Sequence, residues 1–286
     1  MPTKQAIKKE LDFSKNMAEI LDIMKQLAQS QFTNSRKKVI SLFDGTTKAF
    51  GPFFDMMLAA RDPHPIISNT IEKKGIIVTT SDQSFMAALN SKLMKAAQEV
   101  AGKSPCEYIL TGRKGVMKFK FNRLPHVGFP ALKEGPMIRE VAKQVAAYIV
   151  KQISENKLGK IFVVSASSAS FSSQKIGPAQ IFPFEDLAQN KKPFVEMRKR
   201  AELIQEGDTN ALAVYAAKLW AENKLYHLFQ GNKPAEFAAL AMQMEGSFNN
   251  VKKVIGKLNI MYKRARNEKL DAGLREVFVS TMVIGS

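Results

Sequence analysis

The sequence predicts an α/β protein in which the N- and C-terminal helices form a long antiparallel coiled coil, with a parallel-sheet α/β domain inserted between them. Three observations predict this fold: a heptad repeat near each end of the chain, and apolar strands alternating with helical patterns in the middle. We expect residues 1–60 and 208–286 to form the coiled-coil shaft, and residues 61–207 to form a Rossmann-like α/β domain.

The C-terminal helix carries the longer repeat. Its apolar side chains alternate at spacings of four and three residues, the period that lets two helices wind around each other. The predicted seam consists of Phe237, Ala241, Met244, Phe248, Val251, Ile255, Leu258, Tyr262 and Ala265. No proline follows Pro234, and at about 1.5 Å per residue the segment 234–286 would span about 75 Å. A helix of that length either extends beyond its own domain or needs a partner to cover it.

A second seam with the same spacing lies near the N-terminus. It consists of Phe13, Met17, Ile20, Met24 and Leu27. A further apolar row at Leu21 and Ala28 widens the stripe. We expect the two seams to pair in antiparallel order, with the region of Leu27 beside that of Ile255. Two separate amphipathic helices packed on a globular core are the alternative.

The middle of the chain contains short apolar runs that are typical of buried strands. These runs are residues 75–80, 106–110 and 161–164. Helical patterns at 84–101 and 134–156 separate them. Strand, helix, strand, helix, strand indicates a parallel sheet with crossover helices. After a serine-rich loop or strand edge at 165–173, residues 176–184 predict an edge strand, where prolines are tolerated.

Glycine and proline set the expected limits of the long helices. The N-terminal helix is predicted from residue 4 to about residue 50, with a kink or stop around residues 45–52. The C-terminal helix is predicted to begin at residues 208–209, where an aspartate and a threonine can cap it. Around residues 231–234 we expect a bend rather than an end.

The amino-acid composition limits the classes of partner and the compartment that fit this chain. The chain has 286 residues, with 43 Lys and Arg against 26 Asp and Glu, a balance that favours acidic partners such as nucleic acid, anionic lipid or an acidic protein surface. A generally basic protein is the alternative. The single cysteine, Cys106, excludes an internal disulfide and favours a reducing compartment. No apolar run is long enough for a transmembrane segment, and no secretory signal opens the chain.

The sequence shows no catalytic constellation, and it predicts no cofactor and no metal site. The histidines His64, His126 and His227 are far apart and are expected in loops or on the surface. Cys106 lies in a predicted strand, where it suits the core better than a nucleophilic role. Residues 111–115 (TGRKG) are spaced like a phosphate cradle, but two glycines are weak evidence and a turn is the better interpretation.

At this point the pattern resembles a known family, the gamma subunit of F-type ATP synthases, over nearly the whole chain. The similar segments are 20–30, 77–90, 112–116 and 258–277, with matching residues that include Ser81, Asp82, Asn90, Tyr262, Arg264 and Glu276. Two segments depart from the family pattern. Residues 84–88 (SFMAA) replace a centre that usually contains glycine and cysteine, and Asp271 and Gly273 replace other polar residues. The chain is therefore identified as a divergent member.

The resemblance implies a rotor shaft without an active site of its own. In that family, the two terminal helices turn inside a ring of alpha and beta subunits, and the α/β domain binds the epsilon subunit and the c-subunit ring at the membrane. It implies a peripheral place on the cytoplasmic face of the inner membrane, or on the equivalent organellar face. The residues expected to meet the ring are Arg264, Arg266, Asn267, Val277, Phe278, Met282, Val283 and Ile284.

Some of these expectations have alternatives. Arg264 and Arg266 either pair with acidic loops of the ring or form a solvated helix surface. The uncharged tail at 278–286 is expected to be sheathed in the complex and partly exposed in the free chain. The main alternative belongs to another functional class, a basic coiled-coil protein that binds nucleic acid. A nucleotide-dependent enzyme on the α/β unit has support from the fold class alone.

Overall fold

The computed structural model describes residues 3–41, 66, 69–133, 135–171, 173–183 and 208–284. In chain order, the elements in these residues are α1 (Lys4–Ser41), β1 (Lys74–Thr79), α2 (Ala87–Ala101), β2 (Cys106–Thr111), α3 (Arg113–Phe121), β3 (His126–Phe129), α4 (Pro136–Ser154), β4 (Lys160–Ser170), β5 (Ser173–Phe182) and α5 (Thr209–Ile284). The kink or stop predicted around residues 45–52 lies outside the described residues. The helix predicted to bend near residue 234 runs through Pro234 without ending.

The five strands form one sheet in the order β3-β2-β1-β4-β5. All neighbouring pairs are parallel except β4 and β5, which form an antiparallel pair at the edge. In the centre, Ile77 of β1 lies opposite Ile109 of β2 and Val163 of β4. This arrangement confirms the predicted fold class, an α/β chain with a mainly parallel sheet and a long C-terminal helix.

Helices cover both faces of the sheet. On one face, Ile77, Ile109 and Val163 pack in a core with Ile149 of α4 and Trp220 of α5. Side chains alternate across a strand, so neighbouring residues such as Ile76 and Tyr108 point to the opposite face. There the ring of Tyr108 lies 4.7 Å, between centroids, from that of Phe119 in α3. Burial on both faces explains why the central strands read as continuous apolar runs.

Three parts of the sheet unit differ from the sequence prediction. The residues after β2 begin helix α3 at Arg113, where only a turn was predicted. Strand β3 was missed, and His126, expected in a loop or on the surface, is half-buried at its start. Strand β4 extends through the serine-rich stretch to Ser170. These elements are short or rich in small polar residues, so periodicity alone does not reveal them.

The chain divides into two compact units. One is Met1–Ser30 with Leu240–Ser286, and the other is Gln31–Ala239. The prediction assigned residues 208–239 to the shaft, whereas the structure places them with the sheet. The reason is burial: Trp220, Leu225 and Phe229 of α5 lie in the same apolar core as α4.

The first unit is an antiparallel two-helix coil. Near the start of α1, the ammonium of Lys4 lies 5.7 Å from the ring centroid of Tyr262. Further along α1, the ammonium of Lys25 lies 5.3 Å from the ring centroid of Phe248. Residues later in α1 therefore contact residues earlier in α5, which confirms the predicted antiparallel order. The predicted neighbours were wrong in register, because Ile255 packs with Ile7 and Leu11 instead of the region of Leu27.

The seam predicted on α1 is also displaced by one residue. Ile20 is 55% exposed, while its neighbour Leu21 is only 8% exposed. The row that α1 buries is Ile7, Leu11, Ser14, Ala18, Leu21 and Ala28. Of the predicted row, Phe13, Met17 and Leu27 are also exposed and Met24 is half-buried. The buried row contains small residues, which allow two helices to approach closely, and periodicity could not distinguish it from the larger row beside it.

The predicted seam on α5 points largely inward within this unit. Three of its residues in this unit are buried, Ala241, Met244 and Leu258, and the others are half-buried: Phe248, Val251, Ile255, Tyr262 and Ala265. By contrast, Val254 and Ile260 on the remaining surface are exposed. The first residue of that row, Phe237, belongs to the sheet unit, where it packs with Phe32 of α1.

Candidate functional site

A buried polar network lies where β1 ends, between the sheet and the middle of α5. We call it the joint, and its residues are Thr79, Ser81, Asn90, Asn232, Lys233 and Glu236. All six lie within the sheet unit. Buried polar groups are costly unless they are hydrogen-bonded, so the partners of each group decide what the joint can do.

Asn232 connects α5 to two strands. Its Oδ1 accepts hydrogen bonds from the hydroxyl of Thr79 in β1, at 3.1 Å, and from the backbone N–H of Ala166 in β4, at 2.9 Å. Its Nδ2 donates to Oε1 of Glu236 one turn further along α5, at 2.8 Å. One amide side chain therefore fixes the position of the helix against the two central strands.

Glu236 and Lys233 form a buried ion pair beside this amide. The ammonium of Lys233 lies 2.9 Å from Oε2 of Glu236, and both side chains are almost completely buried. The hydroxyl of Ser81 donates to the same carboxylate oxygen at 3.4 Å. Burial raises the pKa of Glu236, against the opposing charge and hydrogen bond of Lys233 and the hydrogen bonds from Ser81 and Asn232. Every oxygen of this carboxylate is occupied by the protein itself, which suits a fixed attachment.

Ser81 and Asn90 close the turn that carries the joint. Oδ1 of Asn90 accepts from the backbone N–H of Ser81 at 2.9 Å, and Nδ2 of Asn90 donates to the Ser81 carbonyl at 2.8 Å. Both residues belong to the segment 77–90 that carried the family resemblance. In the structure, the hydrogen bonds between these two residues hold the Ser81 hydroxyl within reach of Glu236.

The glycine-spaced segment after β2 packs tightly against the same edge of the sheet. Gly112 has a φ of +90°, and a Cβ there would meet the Thr80 carbonyl oxygen at 2.9 Å. The carboxylate of Asp82 accepts a hydrogen bond from the backbone N–H of Lys114 at 3.0 Å. The N-terminus of α3 is thus capped by the protein's own carboxylate, so this segment does not form an open phosphate cradle.

Sequence reasoning did not identify the α5 residues of the joint. Asn232, Lys233 and Glu236 lie between two buried aromatic residues of the helix, Phe229 and Phe237. Charged side chains on a helix usually indicate an exposed position, so their burial was not predicted. Pro234 suggested only a bend in the helix. The available signal was the presence of both charge signs, three residues apart, in a segment whose neighbours are apolar.

The residues predicted to meet a ring lie at the C-terminal end of α5. Arg264, Arg266 and Asn267 are exposed, and so are Val277 and Phe278. The helix itself continues to Ile284. The side chains of Met282, Val283 and Ile284 lie outside the described residues. The structure therefore places the described members on one end of one helix, apart from the joint in sequence.

Other candidate groups do not form a second site in the described part of the chain. Cys106 is half-buried at the start of β2. His227 is half-buried, and burial together with the charges of Lys224 and Arg139 lowers its pKa. Across the described ranges, no cluster of His, Cys, Asp and Glu side chains could hold a metal ion. The helices in these ranges also contain no stretch that could span a membrane.

The fold and the joint together define a class: a coiled-coil stalk protein whose long C-terminal helix is fastened to a parallel-sheet domain. Comparisons with known proteins give the family. A family model described as ATP synthase matches residues 3–281. The chain belongs to this family, whose matching relatives are gamma chains, the non-catalytic central-stalk subunits.

Relatives of known name match over the full length. The chain is 23% identical over 291 residues to the ATP synthase gamma chain of Heliobacterium modesticaldum, with 100% of both chains covered. It is 25% identical over 284 residues to that of Clostridium novyi, with 95% of both covered. The comparisons give no support to the nucleic-acid alternative.

Solved structures share the fold. A chain of the Euglena gracilis mitochondrial ATP synthase, in its OSCP/F1/c-ring structure, superposes with a TM-score of 0.67 at 18% identity, covering 98% of this chain and 94% of that one. A chain of the Tetrahymena thermophila central stalk and c-ring superposes with a TM-score of 0.57 at 14% identity, covering 80% of this chain and 99% of that one.

Proposed function

We propose that this chain is the rotating shaft of a rotary F-type ATP synthase, which couples ion flow through the membrane ring to ATP synthesis or hydrolysis on the alpha and beta subunits. The observation that carries the proposal is the continuity of α5. It is one helix from Thr209 to Ile284. Its first part is bonded to the sheet through the joint, and its last part belongs to the coil. Torque applied to the α/β domain passes into the coil through an unbroken helical backbone.

The partners follow from this role. The end of α5 meets the alpha and beta ring through Arg264, Arg266, Asn267, Val277, Phe278, Met282, Val283 and Ile284. The α/β domain binds the epsilon subunit and the c-subunit ring. Support comes from the exposed position of the described members of that set and from the Euglena neighbour, whose structure contains F1 and a c-ring. The family's peripheral place leads us to put the chain on the cytoplasmic face of the inner membrane, or on the equivalent organellar face.

The test is reconstitution of the chain with the alpha and beta subunits of its own complex. A charge at the tail must be desolvated inside the ring, which costs several kcal/mol without a partner. Val283→Asp should therefore prevent ring assembly or uncouple ATP hydrolysis from rotation, while the α/β domain stays folded by circular dichroism. Lys257→Asp, on an exposed position of the same helix, is the matched control and should do much less. Unchanged assembly and coupling in Val283→Asp would contradict a bearing role for the tail.

The purified chain provides a second test. It should hydrolyse no ATP, because the reaction of the family takes place on other subunits. Turnover that co-purifies with the chain and survives removal of contaminating ATPases would contradict the shaft role. It would favour the nucleotide-dependent enzyme instead.

A further inference from the structure

The joint lies where the backbone of α5 is weakest. Pro234 has no N–H, so the carbonyl one turn earlier in the helix does not receive the hydrogen bond that a helix normally supplies. Contacts with the sheet unit lie on both sides of this gap, at Asn232 before the proline and at Glu236 after it. In addition, the side-chain amide of Gln174 in β5 donates to the carbonyl of Ala235 at 3.4 Å. The sheet unit therefore holds the helix where its own hydrogen bonds are incomplete.

Apolar packing alone does not select a rotational angle for this stretch of α5. Earlier in the helix, one side is buried in the core around Trp220 and another is exposed, so the core can distinguish them. Residues 232–238 are instead buried throughout, and at about 3.6 residues per turn they cover every side of the helix. Their one large apolar side chain, Phe237, clusters with Phe32 of α1 and with Phe171 in the turn after β4. The central strands are therefore reached through the polar side chains.

The polar contacts do select an angle, because hydrogen bonds are directional. The amide of Asn232 reaches two strands at once, through Thr79 in β1 and the backbone of Ala166 in β4. One turn further along α5, the carboxylate of Glu236 meets the hydroxyl of Ser81. A rotation of the helix by about 100°, the step of one residue, would carry both side chains away from these partners and leave buried polar groups unpaired.

The ion pair of Lys233 and Glu236 is an inefficient way to stabilise a core. Its ammonium and carboxylate lie 2.9 Å apart, and both side chains are almost completely buried. Desolvation offsets much of the attraction between buried charges, so apolar side chains of similar volume often stabilise a core at least as well. The best-attested use of buried polar groups is to fix the register of packed elements. The pair therefore contributes geometry more than stability.

We propose that the joint sets the rotational angle at which α5 passes Pro234, and that Asn232 and Glu236 are positioning residues for torque; this rests on the proposed function for the source of the torque. A helix able to turn at the proline would absorb part of each rotation as local twist. The directional contacts on both sides of the proline make the helix turn together with the central strands. An apolar joint would keep the fold but not the angle.

The first measurement uses the free chain. Spin labels are attached at Lys143→Cys in α4 and Met242→Cys in α5, two exposed positions, in a Cys106→Ala background. Pulsed electron paramagnetic resonance then gives the distribution of distances between the labels. A fixed angle at the joint should give a single narrow distribution.

The variant that tests the joint is Ser81→Ala/Lys233→Met/Glu236→Leu, which removes both charges and the hydroxyl that meets them. It should melt within about 4 °C of the unaltered chain, because no buried charge is left unpaired. The distance distribution should nevertheless widen about twofold, because the remaining contacts no longer select one angle. A distribution as narrow as that of the unaltered chain would overturn the proposal.

Two further variants separate positioning from a general loosening of the core. Leu225→Ala removes a buried side chain of the same unit but no polar group, so the melting temperature should fall by about 5–10 °C while the distribution keeps its width. Equal widening in Leu225→Ala would count against the joint. Thr79→Val removes the hydroxyl that donates to Asn232 and should widen the distribution by about half as much. If the triple variant does not fold, Thr79→Val decides, and an unchanged width there contradicts the proposal.

The second measurement uses the chain assembled with the alpha and beta subunits, which are held on a surface. A magnetic bead is attached to the α/β domain at Lys143→Cys, and its angle is followed during the pauses between steps of ATP hydrolysis. The variance of that angle is inversely proportional to the torsional stiffness of the shaft. The triple variant should raise the variance about twofold, and Leu225→Ala should leave it unchanged. Equal variance in the triple variant and the unaltered chain would refute the positioning role.

The two proposals fail in different ways. A chain that never assembles with the alpha and beta subunits contradicts the shaft role, and the torque role of the joint fails with it, whatever the distance distributions show. A chain that assembles and couples normally, but whose triple variant keeps its distance distribution and angular variance, contradicts the positioning role alone.

Discussion

The two parts of α5 experience different surroundings although they belong to one helix. Between Ala213 and Met244 the helix is largely buried, with Trp220, Leu225 and Phe229 in the apolar core of the sheet unit. Beyond Met244 only Leu258 is fully buried among the described side chains, and positions such as Ile260 and Leu274 are exposed. Among the described residues, the first part has several neighbouring elements, while the second packs against α1.

This difference explains which side chains each part of α5 can bury. With a sheet and other helices around it, the first part encloses an ion pair and an amide whose hydrogen bonds are all made inside the protein. The second part buries one narrow row against α1, because two helices shield only one stripe each. The joint is therefore specified by the chain alone. The coil leaves large apolar residues exposed, and the proposed function assigns this surface to a partner.

The largest expected effect comes from breaking the ion pair of the joint. Glu236→Gln leaves the buried ammonium of Lys233 without its counter-charge, which should lower the free energy of unfolding by about 3–5 kcal/mol. Urea unfolding followed by tryptophan fluorescence measures this, since Trp220 lies in the same unit. The double variant Lys233→Met/Glu236→Leu removes both charges and should lose much less. An equal loss in both variants would show that the pair does not act as a unit.

The second effect tests which row of α1 faces the coil. Leu21→Ala should lower the free energy of unfolding by about 2 kcal/mol, because it removes a buried side chain. Ile20→Ala, one residue away and exposed, should change it by less than about 0.5 kcal/mol. Thermal unfolding of the free chain, monitored by helical circular dichroism, compares them. The opposite ranking would restore the row that periodicity first predicted.

A smaller effect concerns the packing of α3 beside the joint. A Cβ on Gly115 would collide with the hydroxyl of Thr80, which itself donates to the carbonyl of Thr111. Gly115→Ala should therefore lower the free energy of unfolding by about 1–2 kcal/mol. Gly177→Ala in β5, where a Cβ would meet nothing within 4 Å, is the control. Chemical denaturation of both variants measures the difference, and equal stability would mean that α3 shifts freely.

The smallest effect depends on pH. Burial opposes ionisation of Glu107, but hydrogen bonds from Tyr148 and Lys73 and the charge of Lys73 outweigh it, so the pKa of Glu107 is lowered. A lowered carboxyl pKa stabilises the fold above the unfolded value, and this stability disappears as pH falls through the folded pKa. Tyr148→Phe should cost about 1 kcal/mol at pH 7 and progressively less below about pH 4.5. Urea midpoints at pH 7 and pH 3.5 test this; a constant difference would contradict it.

Periodicity was sufficient where one pattern has one structural solution. The uninterrupted apolar run around Ile77 is typical of a strand covered on both faces, and the sheet has β1 at its centre. The heptad spacing on α5 indicated a partner helix, and α1 supplies it in antiparallel order. Periodicity failed for α1 itself, where rows through Ile20 and Leu21 are both apolar. Choosing between them requires knowing which row lets the helices approach closely.

The sequence by itself determined the fold class, the antiparallel pairing and, through its resemblance, the family, because these depend on local periods and on the order of segments. The joint was decided only by tertiary structure. Asn232 meets Thr79 across 153 positions of sequence, and Glu236 meets Ser81 across 155. Lys233, the charge partner of Glu236, lies on the same helix, but Thr79 and Ser81 reach the joint from segments distant in sequence, and no local pattern specifies those contacts.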